Sequence, residues 1–229
     1  MTLVALIRHG HSTANLRGIL SGQLPDVHLS EKGMQQAKEL AVRLGEVPVK
    51  AILVSPMERC IETISPWVEE FSQDRKVVVT PDLIEVDYGS WSGRRLRSLS
   101  KEPLWKIVQS NPSRVAFPQG ESIAGMQARA LRPIYSSIAS RGKGVVLVVS
   151  HGDVIKSIIV SALGLHLDEL QRFVIDPGSV SILDFGAAKA RLLLLNDSRS
   201  VVTDSLSSVP QKRLLVGGGA GITKRGAGK

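Results

Sequence analysis

Short apolar runs alternate along the chain with segments in which apolar residues recur every three or four positions. The runs are rich in valine, isoleucine and leucine, which is typical of strands buried on both faces. The longer segments predict helices, because their spacing places the apolar residues on one side. The predicted strands are 3–8, 51–55, 77–80, 145–150, 180–185 and 191–195, and the predicted helices are 30–45, 57–71, 122–140 and 153–163.

This alternation predicts an α/β fold with a doubly wound, mostly parallel sheet and helices on both faces. The last two strands are expected to be antiparallel at a sheet edge. Residues 94–118 contain Trp105 and several prolines, and they are predicted to form a small helical insertion. We expect residues 1–200 to form a single catalytic domain.

The composition is that of an ordinary globular domain. The chain has 229 residues, of which 43% are hydrophobic, and no apolar run approaches the roughly 20 residues that span a bilayer. The first apolar run is too short for a signal-peptide core. The lone Cys60 cannot form an internal disulfide, which agrees with a reducing compartment. We therefore predict a cytoplasmic protein with no membrane partner.

The net charge of +8 is concentrated near the end of the chain. Residues 205–229 contain five basic residues and no acidic residue, so the preceding part carries only about +3. This stretch is rich in glycine and poor in apolar residues, so we expect a disordered, basic tail. Its glycines lack the spacing of a phosphate-binding loop, and we expect no nucleic-acid partner.

Three predicted strands end in polar residues of related character. The first runs into Arg8-His9-Gly10-His11-Ser12, the second into 55–60 (SPMERC), and the fourth into 150–153 (SHGD). In a doubly wound sheet, binding sites form beyond the carboxyl ends of the strands. We therefore expect these three segments to meet.

Their side chains suit phosphate chemistry. Arginine holds pairs of phosphate oxygens, neutral imidazole is a nucleophile near pH 7, and glycine lets a substrate approach closely. A leaving alkoxide also needs a proton donor, and Glu85 is the candidate with Asp87 as its rival. The sequence thus predicts phosphoryl transfer to and from a histidine.

Several motifs resemble those of the histidine phosphatase superfamily, also called phosphoglycerate mutase-like proteins. They are RHG, SPMERCIET, IEVDYGSWSG and SHGDVIK, in that order between Leu3 and Leu195. The segments EVDYGSWSG, PLWKIVQSNPS, FPQGES and QRFVIDPGSVS are most similar to an actinobacterial group labelled phosphomutases. The resemblance implies a three-layer α/β/α sandwich with a helical insertion over the site, and a reaction that needs no metal or other cofactor.

The resemblance also implies roles for individual residues. His9 matches the nucleophile that becomes phosphohistidine, and Glu85 matches the acid that protonates the leaving group and later activates water. The expected phosphate-binding residues are Arg8, Arg59 and His151. Asn15 lies where many members place a polar residue near the phosphate, and Gln23 is expected to reach the substrate from a loop. His11 and His28 depart from the common pattern.

Other functions remain open at this point. A phosphomutase would use the same residues as a phosphatase, and we favour hydrolysis because only a short insertion is available to seal the site. His9, His11 and Asp153 could instead belong to a metal hydrolase, although the arginines would repel a cation. A phosphate-binding module without turnover is a third alternative. The expected partner is a small phosphorylated metabolite, and a homodimer is one assembly that the sequence allows.

Overall fold

The computed structural model describes residues 2–72, 74–142, 144–186 and 188–207, and in this part of the chain six strands form one sheet. The strands are β1 (Thr2–Arg8), β2 (Val49–Val54), β3 (Val77–Val79), β4 (Gly144–Ser150), β5 (Val180–Asp184) and β6 (Arg191–Asp197). Their order is β3-β2-β4-β1-β5-β6. The first four strands in this order pair in parallel. Strand β5 pairs antiparallel with both of its neighbours, β1 and β6. The predicted mostly parallel sheet with an antiparallel edge is confirmed.

Eight α-helices accompany the sheet in the described residues. They are α1 (Thr13–Arg17), α2 (Glu31–Leu44), α3 (Glu58–Phe71), α4 (Leu96–Leu99), α5 (Pro103–Ser110), α6 (Ile123–Ala139), α7 (Gly152–Ala162) and α8 (Thr203–Ser207). The Ser30 hydroxyl caps α2 by accepting from the Gly33 backbone N–H, and Ser122 caps α6 through Gly125. The four predicted helices are all present, with ends that differ by no more than one residue. None of the described helices is long and apolar enough to cross a membrane.

Alternate residues of the central strands point to opposite faces of the sheet. Val4 and Leu6 of β1 pack against α6 and α7, whereas Leu3, Ala5 and Ile7 pack against α2 and α3. Strand β4 divides its side chains between the two faces in the same way. Because each face buries its own apolar cluster, helices must cover both, and the α/β/α sandwich follows.

The predicted insertion is mostly helical. Residues 94–118 contain α4, α5 and a 3₁₀ turn at Pro112–Arg114. Its start is tied to the loop after α1, because the Leu20 backbone N–H donates to the Arg94 carbonyl and the Leu96 N–H donates to the Gly18 carbonyl. The Trp105 ring lies 6.2 Å from the Trp91 ring, so the insertion has an aromatic core against the body.

The folded part continues past the predicted boundary at residue 200. Val202 and Leu206 are each only 1% exposed, and the Val202 N–H donates to the Arg43 carbonyl at 2.9 Å. Helix α8 therefore occupies the first residues of the stretch that was predicted to be a tail from residue 205. The rest of that predicted tail lies outside the described residues.

Candidate active site

The carboxyl ends of β1, β2 and β4 lie side by side, at the edge of the sheet where binding sites form in doubly wound folds. The His9 N–H donates to the Ser150 carbonyl at 3.0 Å, and the Ser55 N–H donates to the Val149 carbonyl at 2.9 Å. Helices α3 and α7 begin immediately beyond β2 and β4, with their positive ends at this edge. Three distant parts of the sequence therefore meet at one point.

His9 lies at that point and is 4% exposed. Its Nδ1 lies 2.7 Å from the carbonyl oxygen of Gly10. Because a carbonyl oxygen can only accept, Nδ1 carries the ring proton and Nε2 keeps its lone pair. Burial, and then the positive charges of Arg59 and Arg8, hold the pKa of His9 well below its usual value. The ring is therefore a neutral base with one free nitrogen.

Two guanidinium groups face this ring. Arg59 is completely buried, and its Nη2 donates to the Gly22 carbonyl at 2.8 Å. Arg8 donates through Nη1 to the carbonyl of Ile175. Three buried nitrogens lack a hydrogen-bond partner in the described structure: Nε of Arg8, and Nε and Nη1 of Arg59. Buried donors on charged groups are costly when unpaired, so they indicate a place for an anionic ligand.

His151 lies on the other side of His9, with 5.2 Å between the ring centroids. Its Nδ1 is 3.3 Å from Nη2 of Arg59, which can only donate, so the remaining proton is on Nε2, 2.8 Å from the Ser55 hydroxyl. Burial, followed by the charge of Arg59, holds the pKa of His151 well below its usual value. The Cys60 thiol packs beside this ring, and burial raises its pKa to about 12, so it stays protonated.

Glu85 is the carboxyl group of the site. Its Oε1 accepts from the Val86 N–H at 2.9 Å, and its Oε2 lies 3.9 Å from Nδ1 of His151. Burial, and then the negative charge of Asp153, raise the pKa of Glu85 to about 7. The rival Asp87 is turned back onto its own turn, where Oδ1 accepts from the Gly89 N–H. The geometry therefore favours Glu85 as the proton donor.

Comparison with known proteins shows the family of the chain. Residues 4–198 match the family model of the histidine phosphatase superfamily (branch 1). The chain belongs to the histidine phosphatase superfamily. It is 30% identical to the adenosylcobalamin/α-ribazole phosphatase of Escherichia coli, over 86% of this chain and 96% of that protein.

Two further relatives differ in the activity that they are named for. One is the 2,3-bisphosphoglycerate-dependent phosphoglycerate mutase of Thermoplasma acidophilum, 30% identical over 80% of this chain and 88% of that protein. The other is the crystal structure of the α-ribazole phosphatase from Shigella flexneri, which superimposes with a TM-score of 0.75 at 28% identity, covering 86% of this chain and 98% of that one. The superfamily therefore contains both activities that the sequence left open.

Gln23 is not among the residues that line the cavity in front of His9. Its Nε2 donates instead to the backbone carbonyl of Glu85 at 2.8 Å. Arg129 donates to the same carbonyl at 3.0 Å and pairs with Glu121, which accepts from the Asp87 N–H. Gln23, which was predicted to contact the substrate, thus contacts the loop that contains Glu85. Together, Gln23, Arg129 and Glu121 hold this loop and position Glu85.

The remaining predicted polar residues have separate locations. Asn15 lines the cavity, although its Oδ1 accepts from the Ser12 N–H and completes the cap of α1. The His11 ring points toward Ser30, with Nδ1 2.8 Å from the hydroxyl, and does not line the cavity. His28 is on the surface, paired with Glu62. Neither extra histidine is therefore brought to the reacting centre.

A cavity of about 420 Å³ opens in front of His9. Beyond Arg8, His9, Asn15 and Glu85, its polar wall contains residues that the sequence reasoning did not assign to substrate: Ser21, Tyr88, Asp153, Lys156, Gln171 and Asp176. The Tyr88 hydroxyl donates to Asp153 at 2.8 Å, and Lys156 lies 3.4 Å from the other oxygen of that carboxylate. One signal for this group was present in the sequence: Asp153 and Lys156 lie on the same face of the helix that begins after His151.

The donor atoms do not suit a metal centre. Among the described residues, no three histidine, cysteine, aspartate or glutamate side chains lie together in a way that could hold an ion. His9 and His11 hydrogen-bond to different groups, Gly10 and Ser30. Two guanidinium groups beside His9 would also repel a cation. The arrangement therefore favours an anionic ligand over a metal.

Proposed function

We propose that the protein is a metal-independent phosphatase that hydrolyses small phosphate monoesters through a phosphohistidine at His9. The observation that carries this proposal is the set of unpartnered, buried guanidinium nitrogens of Arg8 and Arg59 around a histidine with a free Nε2. A phosphate group would supply the missing acceptors and would place its phosphorus next to that nitrogen. His151 is proposed to hold a further oxygen, which requires that its Nδ1, the acceptor of Arg59 in the described structure, takes up a proton when the phosphate dianion binds. Asn15 lies on the cavity wall and is proposed to contribute.

The chemistry divides into two steps. In the first, Nε2 of His9 attacks phosphorus, the bond from phosphorus to the alcohol oxygen breaks, and the Glu85 carboxyl group gives its proton to that oxygen. In the second, the Glu85 carboxylate takes a proton from water as the water oxygen attacks the phosphohistidine. The phosphorus–nitrogen bond then breaks, inorganic phosphate leaves, and both residues return to their starting states.

The raised pKa of Glu85, about 7, supports both steps. A carboxyl group with this pKa is about half protonated at neutral pH, so it can donate in one step and accept in the next. An ordinary glutamate would be almost fully ionised and would be a poor donor. The burial of Glu85, and then the negative charge of Asp153, supply this property.

A phosphomutase is the second candidate, because one 30% identical relative is a phosphoglycerate mutase. The motifs EVDYGSWSG and FPQGES also suggest membership of the actinobacterial group labelled phosphomutases, a finer assignment that is supported by motif similarity alone. We favour hydrolysis because the covering insertion consists of only two short helices and a 3₁₀ turn. A cytoplasmic location and a small metabolite as substrate are parts of the same proposal.

The test is turnover of 4-nitrophenyl phosphate in excess chelator by the wild type and by His9→Ala. We expect turnover that survives chelation and falls by about 10³-fold or more in the variant. Equal amounts of nitrophenol and inorganic phosphate would establish water as the acceptor, whereas less phosphate than nitrophenol would favour transfer to another alcohol. Turnover that His9→Ala leaves intact, or that chelation abolishes, would overturn the proposal.

A further inference from the structure

A second, smaller cavity of about 160 Å³ adjoins the catalytic cavity. Both cavities are lined by Leu20, Tyr88, Leu96, Asp153 and Gln171. The two cavities therefore share one wall, and residues of the insertion line the smaller cavity. We call it the side cavity.

The far wall of the side cavity is aromatic and apolar. It is formed by Trp91, Trp105, Val108 and Phe117, with Gln109 at the edge. The Trp91 ring stacks on Trp105 at 6.2 Å between centroids and meets the edge of Phe117 at 5.4 Å. Aromatic faces arranged in this way offer favourable offset and edge contacts to another ring. The side cavity is thus suited to an apolar, planar group.

Its volume fits one ring. An engineered cavity of about 150 Å³ with apolar walls is known to take up benzene, so 160 Å³ is enough for a six-membered ring. The main cavity, at about 420 Å³, is within the range of sites that hold drug-sized molecules. The two spaces together exceed what a phosphate and two or three carbons would fill.

The charges of the main cavity disfavour a second anionic group. Among the described residues that line it, the lysine and arginine side chains are Arg8, at the phosphate end, and Lys156. Lys156 is already paired with Asp153 at 3.4 Å and hydrogen-bonded to Gln171 at 3.1 Å. Asp176 adds a further negative charge to the lining. A carboxylate or second phosphate would therefore find no unpaired cation among the described residues of this wall.

We propose that the natural substrate is a phosphate monoester whose alcohol part carries an apolar ring, which binds in the side cavity, and no second negative charge. This inference rests on the proposed function, because it assumes that the phosphate binds at His9. On binding, the ring moves from water to the surface formed by Trp91, Trp105 and Phe117. The carbon atoms next to the phosphate cross the main cavity and pass Leu96.

The test compares phosphates of primary alcohols with similar leaving groups: 2-phenylethyl and 3-phenylpropyl phosphate, ethyl phosphate, and the phosphate of 3-hydroxypropanoate. We expect kcat/KM for at least one phenyl ester to exceed that for ethyl phosphate by about 10-fold or more, since a ring leaves water. The carboxylate ester should be roughly 10-fold poorer than ethyl phosphate, because its charge faces Asp153 and Asp176. A carboxylate ester that matches or exceeds the phenyl esters would overturn the inference.

A variant that fills the side cavity locates the effect. Val108→Phe should reduce the ratio of phenyl to ethyl ester kcat/KM toward one, and this ratio cancels any general loss of active protein. Ile107→Phe is the matched control, because Ile107 is the exposed neighbour on α5 and does not line the side cavity. It should leave the ratio unchanged. If Val108→Phe does not alter the ratio, the ring binds outside the side cavity and the inference is overturned.

The outcomes separate the two proposals. If no ester is hydrolysed and His9→Ala behaves like the wild type, the proposed function fails. If esters are hydrolysed through His9 at rates that do not depend on the ring, only the present inference fails. The ratios measured for the wild type decide the matter even if Val108→Phe does not fold.

Discussion

Nδ1 of His9 donates a hydrogen bond of 2.7 Å to the carbonyl oxygen of Gly10, its neighbour in the chain. Such a bond fixes both the tautomer and the orientation of the ring before any substrate arrives. The nitrogen that keeps a free lone pair, Nε2, is thereby determined by the backbone conformation of the strand end. Gly10 is held in turn, because its N–H donates to the Thr63 hydroxyl at 2.9 Å.

The first prediction is that phosphorylation occurs on Nε2 of His9 and not on Nδ1. Nδ1 is protonated and faces a carbonyl oxygen, so it has no lone pair to offer. NMR spectroscopy of phosphoenzyme trapped at low temperature, with ³¹P and ¹⁵N-labelled histidine, distinguishes the two isomers. His9→Ala should give no phosphohistidine signal, and a signal from the Nδ1 isomer would contradict the geometry.

The second prediction concerns the leaving group. Glu85→Gln cannot donate a proton to the alcohol oxygen, so kcat/KM for alkyl phosphates should fall by about 10²- to 10⁴-fold. For 4-nitrophenyl phosphate the loss should be within about 10-fold, because nitrophenolate leaves without protonation. The constant kcat/KM is the right measurement, since it reports only the steps up to release of the alcohol. Equal losses for both substrates would assign Glu85 another role.

The third prediction concerns pH and stability. The pKa of Glu85 rises from 4.5 to about 7 on folding, so the folded state binds this proton more tightly than the unfolded state. The resulting stabilisation is complete below pH 4.5 and is lost as the pH rises through 7. The free energy of unfolding of the wild type, measured relative to Glu85→Gln, should therefore fall by about 3 kcal/mol at most between pH 4.5 and 8.

Denaturant unfolding of both proteins across this pH range checks the prediction. The histidines titrate in both, so their contributions largely cancel in the difference. The side chain of Glu85 is 13% exposed, so solvent screening is limited. A difference that stays constant or rises with pH would show that the carboxyl group is ionised in the folded protein.

The fourth prediction tests the support of the acid. Arg129 donates to the carbonyls of Asp82, Ile84 and Glu85 and pairs with Glu121, and its side chain is only 15% exposed. Arg129→Gln should lower the free energy of unfolding by about 3 kcal/mol, because it leaves buried acceptors and a carboxylate unpaired. It should also reduce kcat/KM for alkyl phosphates by roughly 10-fold, since Glu85 loses its backbone support.

Arg132→Gln is the matched control for this variant. Arg132 pairs with Asp82 in the same loop, but its side chain is 67% exposed, so the pair is screened by water. Denaturant unfolding and kcat/KM should both remain close to the wild type. An equal effect of the two substitutions would mean that Arg129 has no special part in holding Glu85.

The sequence was most informative where periodicity and strand ends carry the signal. Buried strands with a helix on each side follow from the alternation of apolar runs, and polar residues at three strand ends then converge by topology. For this reason Arg8, His9, Arg59 and His151 could be grouped before the structure was known. Glu85 and Asp87 were both candidates from the residues, and the preference for Glu85 rested on the resemblance, because a loop residue has no periodicity to indicate its direction.

The less successful assignments depend on side-chain direction in loops. Gln23 was predicted to contact substrate, but the turn directs its amide to the backbone of Glu85. Asp153 was considered only as a metal ligand, and its effect on Glu85 depends on burial, which composition does not show. The side cavity requires Trp91, Trp105 and Phe117 to meet from separate segments.

The position of β1 in the sheet has a consequence for the order of folding. This strand is central, and its neighbours are β4, which begins at Gly144, and β5, which begins at Val180. A growing chain must therefore keep an apolar strand unpaired while most of the domain is synthesised, a situation that slows folding and invites aggregation. Because His9 lies at the end of that strand, the proposed phosphate pocket forms only when these most distant contacts form. Partly folded chains should accordingly be unable to bind phosphate.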